Sequence, residues 1–167
     1  MSDLDYSRDV ACPLDRCRTL LVDEAFLTAF VELQEPIEPR IKVAPETWSS
    51  TLEWSVATEG IPAVFSRLLP KTVPVRLVIN VPADSGSAGS ISLDLEGKPS
   101  GRLRASLELA ASGEEQDRTA LGVQGSFKID LGLLSGTVAN YLKPELIVPI
   151  LDELADLLEQ WSSGPLA

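Results

Sequence analysis

Arg8 is the side chain whose type and spacing most suggest chemistry. In "LDYSRDVAC" the period of two puts Tyr6, Arg8 and Val10 on one side of an extended segment. If that side is the dry one, a guanidinium points inward and requires a carboxylate or the anionic end of a ligand. A slip of register, or an internal ion pair with a neighbouring acid, fits the same spacing. Tyr141 offers a hydroxyl that would either orient a ligand or sit satisfied in a core. Carboxylates group twice. Asp152, Asp156 and Glu159 share one helical face, and Glu114, Glu115 and Asp117 fall in a polar turn. Neither group has apolar neighbours, so both are expected to be solvated.

The chain has no histidine. The commonest general base, the usual zinc ligand and the serine–histidine triad are thereby removed together. "SGSAGS" lacks the lysine and helix that a phosphate-binding loop requires. No catalytic residue, metal ligand or cofactor is assigned. Cys12 and Cys17, five positions apart, could close a small disulfide loop, but two buried reduced thiols in a cytosolic protein fit better. The formal charge of −11 over 167 residues repels nucleic-acid phosphates and anionic headgroups, and no compact basic cluster in the sequence overrides it. The acidity is read as a solubility device. "MSDLDYSRDV" has no apolar core of a secretory signal, and no apolar run approaches a membrane span. A cytoplasmic protein without integral membrane association is expected, with no nucleic-acid partner.

These groups must be positioned by the elements around them. From Thr51 to Asp130 the period is two. Leu121, Val123, Gly125, Phe127 and Ile129 oppose Gly122, Gln124, Ser126, Lys128 and Asp130. "GRLRASLELA", "SISLDLEG", "VPVRLVINV" and "TLEWSVA" repeat the pattern, with Leu107, Leu93, Leu77 and Trp54 on the dry side. The polar segments between them are too short for crossover helices, so consecutive strands are antiparallel neighbours. A poorer strand is expected through "RIKVAP", turning at "ETWSS", with "QEPIEPR" as an extended connector before it. "CPLDRCRTLLVDEAFLTAFVEL" predicts two short helices broken near Asp23, and "GIPAVFSRLLP" one or two helical turns. The sheet's cover is "LKPELIVPILDELADLLEQW", where Ile147, Ile150, Leu151, Leu154, Leu157, Leu158 and Trp161 make the apolar stripe. Pro144 suits a fresh helix start, and a bend at Pro149 would let the helix follow a concave sheet.

The order of strand, two short helices, six strands and one long helix, with "SFKIDLGLLSGTVANYL" leading into that helix, resembles the START-like (SRPBCC, helix-grip) superfamily. "YSRDVACPLDRC", "IPAVFSRLLP", "LEGKPSGRLRASLEL" and the terminal "EQW" are similar to an uncharacterised bacterial family within it. Asp130, Ser135-Gly136 and the run Thr137, Val138, Ala139 depart from that family's pattern at the sheet-to-helix junction. The resemblance implies an α+β helix-grip fold over one domain, residues 1–167: a curved antiparallel β-sheet wrapped around a long C-terminal helix. It further implies a cavity between them, but no particular ligand.

On these grounds the chain is expected to bind or carry a small hydrophobic or amphipathic ligand. The expected lining is Tyr6, Arg8, Trp54, Phe65, Leu77, Leu93, Leu107, Phe127, Tyr141, Ile150 and Leu154. Each of these could instead belong to a filled core. Phe65, Leu68 and Leu69 would form either a lid or a packed surface turn. The alternatives are a polyketide-cyclase-like enzyme, which without histidine would need Tyr141, Arg8 or an inward carboxylate, and a protein-interaction module built on a filled core.

Overall fold

The computed structural model describes residues 2–57, 71–82, 88–96, 100–113, 117–130 and 147–162. Strand β1 is Ser2–Val10, followed by helices α1, Leu14–Leu20, and α2, Glu24–Glu32. Six strands follow: β2 Ile37–Ala44, β3 Ser49–Ala57, β4 Thr72–Asn80, β5 Ala88–Leu95, β6 Ser100–Ser112 and β7 Arg118–Asp130. Helix α3, Val148–Gln160, closes the order. Pro13 caps α1, with Asp15 at its positive end and Arg18 at its negative end. The break before α2 comes at Asp23, whose extended backbone cannot continue the helix.

All seven strands form one antiparallel sheet in the order β1-β7-β6-β5-β4-β3-β2. The register sets the apolar positions in transverse rows, and the row Leu52, Leu77, Leu93, Leu103, Phe127 runs unbroken from β3 to β7. All five side chains are buried. Gly125 lies in the next row beside Ala105, where the two backbones approach so closely that a Cβ would fall 2.0 Å from the Arg104 carbonyl oxygen. A glycine there lets the sheet bend. Helix α1 packs on β6 and β7, α2 on β2 and β3, and α3 against β1 and α2. This is the α+β helix-grip arrangement.

One expectation is corrected. The Pro-rich stretch before "RIKVAP" is part of β2, which begins at Ile37. Its pairing with β3 skips between Ile37 and Arg40, with Glu38 at φ 50°. This bulge, with Pro39 in it, hides the alternation of a strand. Pro149 is the second residue of α3 as described, and Ile147 before it is already helical in backbone. Pro144 lies outside the described residues, as does the segment from Ile61 to Leu69.

Candidate functional site

The side of the sheet facing the helices brings together most of the expected lining. Leu77, Leu93 and Phe127 share the central row, and Leu107 pairs through Val123 with Tyr6 on β1. Trp54 is one pleat further along β3 than Leu52, on the same face. Ile150 and Leu154 are buried on α3. Phe65 and Tyr141 lie outside the described residues. Two depressions made by described residues lie on the opposite, outer face, one beside Arg102, Arg104 and Lys128 and one beside Arg104 and Gln124, and a smaller one between Glu38, Arg40 and Glu53 reaches Trp54 and Val75.

Arg8 follows the parity of Tyr6 and Val10 and reaches α3 rather than an open interior. Its Nη2 donates to Asp156 and Glu159, each at 2.5 Å, and Nη1 donates to the Asp152 carbonyl at 3.4 Å. Tyr6 donates its hydroxyl to Asp152 Oδ1 at 2.6 Å, and the Ala11 amide donates to Glu159 at 3.1 Å. The acids that composition assigns to a purely solvated face are therefore the partners of Arg8. The reason is topological: β1 is the edge strand beside which α3 lies. The hydrogen bonds that Arg8 donates to Asp156 and Glu159 outweigh burial and raise its pKa, so the guanidinium stays charged throughout.

This cluster gives two expected results. Arg8→Ala leaves three carboxylates facing one another without their cation, at a site only partly screened by water. It should lower unfolding free energy by about 1–3 kcal/mol. Asp156→Asn added to that variant should restore part of the loss. A denaturant double-mutant cycle reads the coupling, and strictly additive losses would refute it. For Tyr6, burial and the hydrogen bond to Asp152 push the hydroxyl from 10.0 up to about 12. The folded state thus holds this proton more tightly than the unfolded chain. The stability it contributes is whole below about pH 10 and is lost as pH rises toward 12. The advantage of wild type over Tyr6→Phe in urea unfolding should be flat near neutrality and shrink above about pH 10; a constant difference would contradict this.

Cys12 and Cys17 are free thiols, both buried. A hydrogen bond between them raises the Cys12 pKa, helped by burial, and lowers that of Cys17. On the outer face the register assembles a row that no single segment of sequence displays: Arg40, Glu53, Arg76, Asp94, Arg102 and Lys128, one per strand from β2 to β7. The row mixes both signs. Acids are interleaved, with Arg76 3.8 Å from Glu53 and Asp94 3.0 Å from Arg104. Among the described residues no group of three ligating side chains could hold a metal ion, and no helix is long and apolar enough to cross a membrane.

Residues 5–161 match the model of a family described as "Protein of unknown function (DUF2505)". The chain belongs to that family. No curated protein matches this DUF2505 chain in sequence. Its fold is shared with solved structures of low identity. A START superfamily protein from Mycobacterium smegmatis is 16% identical with a TM-score of 0.58, covering 97% of each chain. The Zhui aromatase/cyclase from Streptomyces sp. R1128 is 11% identical with a TM-score of 0.61, over 96% of this chain and 92% of that one. Truncated norcoclaurine synthase from Thalictrum flavum is 10% identical with a TM-score of 0.60, over 98% and 94%. The DUF2505 chain therefore has the START-like fold.

Proposed function

We propose that the chain binds and carries a small hydrophobic or amphipathic molecule between the inner face of the sheet and α3. The observation behind this reading is the inner face itself: five strands contribute a continuous apolar wall, from Leu52 to Phe127, beneath a helical cover. The fold is compatible with such use, since norcoclaurine synthase has been crystallised in complex with dopamine and hydroxybenzaldehyde. Carriage is favoured over turnover because the Arg8 guanidinium, one of the groups an enzyme would recruit, is engaged by acids of α3. Native mass spectrometry of protein purified from its own host, then solvent extraction, tests the reading. A bound species of a few hundred daltons, released by extraction, is expected. Protein that carries nothing and takes up no apolar probe would defeat it, and a co-purifying protein in place of a small molecule would favour an interaction module.

A further inference from the structure

We infer that the indole N–H of Trp54 is the polar anchor of the interior site. Its ligand is then an apolar molecule carrying one neutral hydrogen-bond acceptor, a carbonyl or ether oxygen. The inference rests on the binding reading above and narrows its ligand class. Trp54 is 3% exposed, and its Nε1 is fully buried with no acceptor among the described residues. An indole can only donate, and a buried donor left unpaired is a standing cost that a leucine or phenylalanine would not incur. The fold satisfies its comparable groups. Ser50, on the same strand, donates to the Leu21 carbonyl at 2.7 Å, and Thr119 donates to the Cys12 carbonyl at 2.7 Å. Among the described residues Asp23 Oδ2 is the other buried side-chain atom without a partner, but that residue is only half-buried and lies at the start of α2.

The surroundings specify the acceptor. Trp54 heads the inner row that continues through Val75, Leu95, Gly101 and Ile129, all without polar side chains. On its other side β2 bulges between Ile37 and Arg40, so Trp54 has no register partner there. Glu53, next to it on β3, and Arg76 on β4 pair with each other at 3.8 Å on the outer face. The exposed Glu38 and Arg40 of the β2 bulge border the outer depression that reaches this end of β3, while the indole nitrogen itself is shut away from water. A single N–H in apolar surroundings compensates one neutral oxygen. It does not compensate an anion, which would need several donors or a cation.

Matched probes test this: indane against 1-indanone, and fluorene against 9-fluorenone, each pair sharing a carbon frame and differing by one carbonyl. Titration calorimetry on wild type and Trp54→Phe reads the ketone-to-hydrocarbon affinity ratio. That ratio should fall about five- to a hundred-fold in the variant. A second readout uses wild-type protein: the Trp54 indole ¹H–¹⁵N resonance, assigned with Trp48→Phe and Trp161→Phe, should move downfield with ketones and not with hydrocarbons. If both members of a pair bind but the ratio and the resonance ignore the carbonyl, the anchor is wrong while the binding reading stands. If no probe binds, both fall.

Discussion

Phe127→Ala is expected to lower unfolding free energy by about 3–5 kcal/mol, and the melting temperature by about 6–20 °C. Phe127 is 0% exposed and sits on β7, paired with Leu103 of β6 on one side and with β1 on the other. It ends the central row that begins at Leu52, so its ring is the largest group on that stretch of wall. Removing it takes away its transfer free energy and leaves a void that strands pinned on both sides cannot collapse into. The magnitude carries functional information. A ring packed on every side loses all its contacts on truncation, whereas a ring bordering free space had fewer to lose. A loss near the top of the range would mean a tightly filled interior and count against the carrier reading. A loss below about 2 kcal/mol would place open volume beside Phe127. Chemical denaturation with an unchanged m-value provides the measurement.

Gly125→Ala should cost about 2–4 kcal/mol, although it adds one methyl to a strand. The new Cβ would lie 2.0 Å from the Arg104 carbonyl oxygen and 2.5 Å from the Ala105 Cα. Both are backbone atoms of β6 and cannot rotate aside, so β6 and β7 must part. Gly122, on the same strand, supplies the control: its nearest atom would be Glu108 Cβ at 3.9 Å, which is ordinary contact. Gly122→Ala should therefore stay within about 0.5 kcal/mol of wild type. Equal effects at the two positions would show that backbone entropy, and not close approach at Gly125, governs β7.

The contrast between these glycines is invisible to pattern reading, which places Gly125 on the dry face and Gly122 on the wet one without distances. Much else was legible. The alternation through β3 to β7, the break at Asp23 and the stripe of α3 all depend on near neighbours in the chain, and the structure reproduces them. What escaped depended on long-range pairing or on local exceptions. The start of β2 was hidden because a bulge and Pro39 interrupt its period. The partners of Arg8 were hidden because only the docking of α3 beside β1 brings its acids near. The outer charged row was hidden because each of its members belongs to a different strand. The unsatisfied nitrogen of Trp54 is a property of its surroundings, and composition carries no trace of it.

The clasp between Arg8 and Glu159 spans 151 positions of chain, and the hydrogen bonds of β1 go to β7, more than a hundred residues on. During synthesis the opening strand therefore leaves the ribosome long before any of its partners exists. Its Leu4, Tyr6 and Val10 remain wet until β7 and α3 have followed. Closing so large a loop delays the last step of folding and lengthens the time in which that strand can join a wrong edge. The alternate acids Asp3, Asp5 and Asp9 give the waiting segment a net negative charge, which discourages such errors until its own acceptors arrive.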